Sequence, residues 1–206
     1  MPSGRASQPI FWIVAGPNGS GKSSAYYGTD PEYFGQSVWI INPDLLAARI
    51  ADTETLALGV ANLEAVRRIE AWLEASIRAY QTVGVETVLS TDKYRRLVNE
   101  AKARKFEIGL IYVLVSSPDI NIERVRLRVA KGGHAVPEDK IRERYYRSLE
   151  QLPWFLRRAD QAILFDNSGK EARLVGKKEG SAIILEPDAL PQYHEAARKA
   201  IVGGLD

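Results

Sequence analysis

The chain has 206 residues, of which 45% are hydrophobic and 26% are charged, a composition typical of a folded globular protein. Its 28 basic and 26 acidic residues nearly balance, so bulk charge predicts neither a nucleic-acid partner nor a membrane partner. The absence of cysteine excludes disulfides and thiolate metal sites, and we expect a cytoplasmic protein.

Apolar, strand-like runs alternate along the chain with segments of helical period, which predicts an α/β fold with a central, mainly parallel sheet. Residues 1–8 lack the apolar core of a signal peptide and are expected to form a mobile leader. No long Pro, Gly or Ser linker divides the chain, so residues 1–206 are expected to form a single domain. The strand candidates are residues 9–15, 38–42, 84–90, 108–115 and 161–165.

The first strand candidate leads into the sequence AGPNGSGKSS, which matches the phosphate-loop pattern G-x-x-x-x-G-K-[ST] between a strand and a helix. Glycines are required there because backbone N–H groups must point at a phosphate chain in conformations that a Cβ would obstruct. Lys22 is expected to contact the β- and γ-phosphates, and Ser23 to ligate Mg²⁺. The predicted nucleotide-binding residues are Gly16, Pro17, Asn18, Gly19, Ser20, Gly21, Lys22, Ser23 and Ser24.

A phosphate loop serves switches, motors and kinases alike, so acidic residues elsewhere must indicate the reaction. Asp44 lies two residues past the second strand candidate, at the edge where an open parallel sheet binds its ligands. It is our candidate for the carboxylate that accepts a proton from the acceptor hydroxyl. Its alternative role is to cap the helix that begins with LLAARI.

Glu86 is an acidic residue within an otherwise apolar strand candidate. A buried carboxylate is costly without a partner, so we expect an arginine, a hydroxyl, metal-bound water or a ligand beside it. A purely structural ion pair is the alternative. Asp92 could serve the metal instead, but capping a helix that begins at Lys93 explains it better.

Several helices are predicted between and after the strands. One covers residues 56–80, with Leu63, Leu73 and Ile77 on its apolar face. Others cover residues 117–131, with Ser117 as the cap, and residues 137–152. Residues 161–206 are expected to form a hairpin with its turn in FDNSG, a further strand at SAIIL and a terminal helix over residues 190–202.

Basic residues concentrate in residues 124–147, where two helices flank a Gly-Gly turn. Arg128 lies on a basic face of the first helix, away from its apolar stripe, and Arg144 lies beside the apolar stripe of the second. This arrangement predicts a hinged lid that brings arginines onto phosphates. Two solvated helix faces, paired with the acidic residues between them, are the alternative. His134, in the turn, is expected to make loop hydrogen bonds and not to act as a base.

The motifs AGPNGSGKSS, INPD, ETVLS and RVRLRVAKGGHAVPEDKIRERYYRSLEQL occur in this order. Together they make residues 10–167 similar to the zeta-toxin family of P-loop kinases. The resemblance implies a three-layer P-loop kinase fold with a helical lid, and phosphorylation of UDP-N-acetylglucosamine with ATP or GTP. It also implies inhibition by a proteinaceous antitoxin.

The resemblance also implies roles for individual residues. Asp44 matches the aspartate that orients or deprotonates the sugar hydroxyl, Glu86 the glutamate that contacts the substrate, and Ser90 a nearby hydroxyl contact. Arg128 and Arg144 resemble the two lid arginines that hold the transferred phosphate. Arg142 is an alternative to Arg144, because it lies next to it on the same helix.

The acceptor stays open at this stage. The chain is shorter than the founding toxins, and the regions that contact the sugar nucleotide match only in part. A kinase for another small-molecule acceptor, or a nucleotide-dependent switch that binds a protein partner, fits the same phosphate loop. Asn167, in the turn FDNSG, is a candidate nucleobase contact, although a hairpin turn explains its composition equally well.

Overall fold

The computed structural model describes residues 8–27, 38–186 and 195–203. Residues 1–7 of the expected leader and residues 190–194 of the predicted terminal helix lie outside the described residues. The remaining leader residue, Gln8, donates a side-chain hydrogen bond to the Lys105 carbonyl. The strands are β1 (Ile10–Ala15), β2 (Ile40–Ile41), β3 (Val83–Thr87), β4 (Glu107–Leu114), β5 (Gln161–Asp166), β6 (Arg173–Glu179) and β7 (Ala182–Leu185). The helices are α1 (Lys22–Tyr27), α2 (Pro43–Thr53), α3 (Leu58–Arg78), α4 (Arg95–Ala103), α5 (Pro118–Ala130), α6 (Glu138–Arg158) and α7 (Glu195–Val202).

One sheet contains all seven of these strands, in the order β2-β3-β1-β4-β5-β6-β7. The pairs from β2 to β5 are parallel, whereas β6 and β7 continue the sheet as antiparallel strands. The prediction of an α/β fold with a central, mainly parallel sheet is confirmed. Because β1 lies between β3 and β4, the carboxyl ends of these three strands meet at one edge, where such sheets bind ligands.

The main core lies on one face of the sheet. Phe11, Ile13 and Ala15 of β1 point into it and contact apolar side chains from α3, α4, α6 and α7. Alternate residues of the same strand, Trp12 and Val14, lie on the opposite face with Ile111 of β4. A strand buried on both faces reads as a continuous apolar run, which is why IFWIVA shows no alternation with polar residues.

The predicted apolar face of the helix over residues 56–80 is partly wrong. Leu63 is 75% exposed, and the buried side of α3 instead begins with Ala61 and Ala65. These alanines pack with Ala47 and Ile50 of α2, where small side chains let the two helices approach closely. Leu63 was predicted to be buried because of its hydrophobicity and spacing. Periodicity does not take into account how little space lies between two helices.

Two helix boundaries also differ from the prediction. The helix predicted to end at residue 152 continues as α6 to Arg158, through Pro153. Proline removes one backbone hydrogen bond, but buried Phe155 and Leu156 fix the last turn against the core. Helix α4 begins at Arg95 and not at Lys93, and Asp92 contributes only its backbone carbonyl, which accepts from the Arg95 N–H at 2.8 Å.

Throughout the described ranges, no helix combines the length and the apolar character that crossing a bilayer would require.

Gly109 of β4 offers a test of the packing across the sheet. A Cβ at this position would collide with the ring of the buried Trp12, so we expect Gly109→Ala to lower the free energy of unfolding by about 1 to 3 kcal/mol. Urea denaturation measures this change. Gly59→Ala, on α3 with no atom within 4 Å of the new methyl group, is the control and should not destabilise the protein.

Candidate active site

The phosphate loop joins β1 to α1 and is shaped by residues far away in sequence. Gly19 and Gly21 have φ angles of +74° and +86°, which L side chains rarely adopt. A Cβ on Gly19 would lie 2.8 Å from the Asn121 carbonyl of α5, and one on Gly21 would collide with the Asn167 side chain. Both positions therefore require glycine, for the backbone conformation and for the close approach of Asn121 and Asn167.

Lys22, the first residue of α1, is only 8% exposed. Its ammonium group donates to the carbonyls of Gly16 at 2.9 Å and Pro17 at 3.1 Å, and it lies 4.0 Å from Glu86 Oε1. Burial lowers the pKa of Lys22 below its usual value, while the charges of Glu86 and Asp44 oppose that shift. The lysine is thus held inside the loop, with its charge facing the space above the sheet edge.

Glu86 has the kind of partners that its burial within an apolar strand predicted. It lies on β3 beside Val14 of β1, and its Oε2 accepts a 3.1 Å hydrogen bond from the Ser23 hydroxyl. The carboxylate thus has both a hydroxyl and the Lys22 ammonium beside it. The structural ion pair and a ligand-binding role both fit this position.

A cavity of about 290 Å³ opens next to Lys22 and Glu86. Asp44 borders it from the first turn of α2, with its carboxylate exposed. The cap of α2 is Asn42, whose Oδ1 accepts from the N–H groups of Asp44 and Leu45, so the capping role considered for Asp44 is wrong. The Asp44 carboxylate does not cap α2, and it borders the cavity together with Glu86.

The turn after β3 forms another side of the same cavity. Thr87, Val88, Leu89 and Ser90 all border it, so Ser90 shares this cavity with Asp44 and Glu86. Lys93, further along this segment, also borders the cavity, although nothing in its local sequence marked it. Its contribution depends on how the chain turns after the strand, which periodicity does not predict.

The two candidate lid arginines on α6 have different surroundings. Arg144 borders the cavity, whereas Arg142 is exposed and pairs with Asp119 of α5. The structure therefore brings Arg144, and not Arg142, next to Glu86 and Lys22. The side of α6 that faces the cavity therefore carries Arg144, and its role as the second lid arginine stays a prediction.

Arg128 lies on α5 at a different opening of about 380 Å³, which Arg124 and Lys131 also border. It donates to the His134 carbonyl at 2.9 Å, so His134 contributes a backbone oxygen in the turn. Arg128 is close enough to Lys22 for its charge to lower the pKa of that lysine. The described structure thus places one candidate arginine on α5 and one on α6, at two separate openings.

Two asparagine side chains hold the phosphate loop by hydrogen bonds to its carbonyls, a role that was not predicted from the sequence. Asn121 is fully buried on α5 and donates its amide to the Asn18 carbonyl. Asn167 donates to the Ser20 carbonyl at 2.8 Å, and its role as a nucleobase contact stays a prediction. For Asn121, the signal in the sequence was its position between two isoleucines on a predicted helix. A polar side chain that is buried there needs a hydrogen-bond partner.

The described residues contain no group of three or more His, Cys, Asp or Glu side chains that could hold a metal ion. The Ser23 hydroxyl and the Glu86 carboxylate nevertheless lie together beside the loop, and both are oxygen ligands of the kind Mg²⁺ prefers. Magnesium in nucleotide sites keeps several waters and uses phosphate oxygens as further ligands. The residues present therefore fit a nucleotide-bound Mg²⁺.

The model of the family described as zeta toxin matches residues 2–179 of the chain. An uncharacterized protein from Haemophilus influenzae is 28% identical over 141 residues, which cover 68% of this chain and 93% of that protein. The fold resembles that in a crystal structure of AvrRxo1-ORF1:-ORF2 with ATP, with a TM-score of 0.68 and 17% identity. That match covers 87% of this chain but only 61% of the other one. A structure from the PezAT chromosomal toxin-antitoxin system of Streptococcus pneumoniae matches with a TM-score of 0.62 and 15% identity, covering 98% of this chain and 89% of that one.

Gly21 offers a test of the loop. We expect Gly21→Ala to weaken binding of a fluorescent ATP analogue by at least about tenfold, because the methyl group strains the backbone and displaces Asn167 from Ser20. Titration of the analogue measures the dissociation constant. Gly180→Ala is the matched control: its φ is also positive, at +61°, but no atom lies within 4 Å of the added group. Equal loss of affinity in both variants would contradict the role of the loop.

Proposed function

Because the chain belongs to the zeta toxin family, we propose that it is a Mg²⁺-dependent kinase that transfers the γ-phosphate of ATP or GTP to a hydroxyl of UDP-N-acetylglucosamine. The observation that carries the proposal is the single cavity shared by Lys22, Glu86 and Asp44. A buried cation of the phosphate loop and two carboxylates meet there, as transfer to a hydroxyl requires. A switch would need the loop and the ligands of Mg²⁺, but not a further carboxylate such as that of Asp44 at the same cavity.

The donor side consists of the phosphate loop and α1. The loop amides and the Lys22 ammonium would hold the β- and γ-phosphates, which are anions that suit this buried positive charge. Ser23 and Glu86 would hold Mg²⁺, which neutralises charge on the phosphate oxygens when it is bound. Arg128, on α5, would add positive charge to the same region.

The acceptor side begins at Asp44. Its exposed carboxylate borders the cavity from the first turn of α2, within reach of solvent and of an entering hydroxyl. In that position it would orient the hydroxyl and accept its proton as the oxygen attacks phosphorus. Ser90, across the same cavity, would donate or accept a hydrogen bond at the sugar.

The charges around the cavity favour an acceptor that carries negative charge. Lys93, three residues beyond Ser90, and Arg144 border it in addition to Lys22 at the loop. Arginine and lysine side chains that border a cavity bind phosphate groups of a ligand. A nucleotide sugar supplies such a group next to its hydroxyls, whereas an uncharged sugar does not.

We also propose a proteinaceous antitoxin as the partner of this chain. The matched structure from Streptococcus pneumoniae belongs to a chromosomal toxin-antitoxin system. Expression of the chain alone and with the protein encoded beside it, followed by growth measurements, tests this idea. Equal growth in both cultures would argue against it.

The reaction itself is tested with ATP and a panel of UDP-N-acetylglucosamine, other sugar nucleotides and free sugars. We expect mass spectrometry to detect UDP-N-acetylglucosamine that has gained one phosphate. Asp44→Asn should abolish this product while leaving nucleotide affinity nearly unchanged, because the residue faces the acceptor. Asp52→Asn, on the exposed surface of the same helix, is the control and should keep full activity. Nucleotide binding without any phosphorylated product would favour a switch.

The two neighbouring arginines of α6 give a second test. Arg144→Ala should lower kcat by about a hundredfold or more, since Arg144 borders the cavity and would stabilise charge on the transferred phosphate. Arg142→Ala removes an exposed ion pair with Asp119 and should leave kcat nearly unchanged. Steady-state kinetics with saturating ATP separates them. A larger loss in the Arg142 variant would reverse the assignment.

A further inference from the structure

The turn after β3 has an unusual backbone for a buried, non-glycine residue. Leu89 has a φ of +58° and is only 1% exposed. The left-handed conformation is unfavourable for a branched side chain and persists only where the surroundings enforce it. Since Leu89 borders the acceptor cavity between Val88 and Ser90, this strain lies where the substrate is proposed to bind.

Two hydroxyl groups hold this turn from either side. Within the turn, the Thr87 hydroxyl oxygen accepts from the Leu89 N–H at 3.1 Å. From α6, the Ser148 hydroxyl donates to the Val88 carbonyl at 2.7 Å. Ser148 is fully buried and is the residue that connects the turn to a helix 60 positions further along the chain.

Counting protons fixes the direction of a longer chain of hydrogen bonds. Ser148 Oγ also lies 2.7 Å from the hydroxyl oxygen of Tyr112 on β4. A carbonyl can only accept, so the single hydroxyl proton of Ser148 goes to Val88, and Tyr112 must donate to Ser148. Burial raises the pKa of Tyr112, which keeps its hydroxyl protonated at neutral pH and able to donate.

The same helix carries Arg144 to the cavity, one turn before Ser148. Between them, the Tyr145 hydroxyl donates to the Val115 carbonyl at the end of β4, at 2.9 Å. This part of α6 is therefore fastened to the sheet through Tyr145 and Tyr112, and to the turn through Ser148. A shift of α6 would move Arg144 and the turn together.

We propose that Ser148 is a positioning residue for the acceptor: it holds the turn of Thr87, Val88, Leu89 and Ser90, with Leu89 in the left-handed conformation, in register with Arg144. Its consequence for catalysis rests on the proposed function, whereas the mechanical coupling does not. Ser148 touches neither donor nor acceptor and acts only through the turn.

Hydrogen–deuterium exchange tests the coupling without any acceptor. In the full-length protein, Ser148→Ala should speed exchange in the peptide covering residues 86–92 by about tenfold, because the Val88 carbonyl loses its donor. Tyr112→Phe keeps that donor and should have a smaller effect. Ser76→Ala, which removes the hydroxyl of another buried serine, on α3, is the control. Unchanged exchange in residues 86–92, or faster exchange throughout the chain, would overturn the proposal.

Kinetics test the catalytic consequence, with UDP-N-acetylglucosamine as the probe. Ser148→Ala should raise the KM for this acceptor by about tenfold and leave the KM for ATP within about twofold. Ser148→Thr, which restores the hydroxyl, should recover most of the loss. Equal changes in both KM values would indicate a general structural role and overturn the positioning role. If the wild-type protein does not phosphorylate the probe, the proposed function fails, and the exchange measurement alone decides the coupling.

Discussion

The ammonium group of Lys22 is buried, and the surrounding residues of the site stabilise its charge. Two loop carbonyls accept its protons, and Glu86 supplies the opposite charge from the neighbouring strand. A buried cation without such partners would cost several kcal/mol. The carboxylate on β3 and the phosphate loop on β1 are therefore parts of one arrangement, fixed by the parallel register that sets Val14 beside Glu86.

Residues from outside the motif decide the shape of the phosphate loop. Asn121 on α5 and Asn167 after β5 each donate to a loop carbonyl, and both lie against a glycine that leaves no room for a side chain. The glycines thus serve two purposes, since they permit the positive φ angles and allow the neighbouring elements to approach. Helix α5 consequently contacts the loop directly through Asn121. If α5 is part of a lid, this end of it is held against the loop.

The cavity proposed for the acceptor is assembled from three separate elements: the first turn of α2, the turn after β3, and α6. Asn42 takes over the capping of α2 and leaves the Asp44 carboxylate to the cavity. The turn after β3 is strained at Leu89 and is held by hydroxyl groups from its own strand and from α6. Backbone strain of this kind concentrates at functional sites, where the surrounding structure enforces it.

Features that depend on local spacing could be predicted from the amino-acid sequence. The phosphate loop, the apolar strands and the carboxylate within β3 follow from neighbouring residues, because backbone geometry and burial act at short range. Features that depend on the direction of a side chain in space required the folded structure. Arg142 and Arg144 flank the same apolar stripe of α6 on opposite sides, so helical periodicity does not predict which of them borders the cavity. The packing of α6 places Arg144 there. Similarly, Ala61 and not Leu63 is buried on α3, because α2 lies too close to α3 for a larger side chain. No local sequence pattern indicates how close two helices lie.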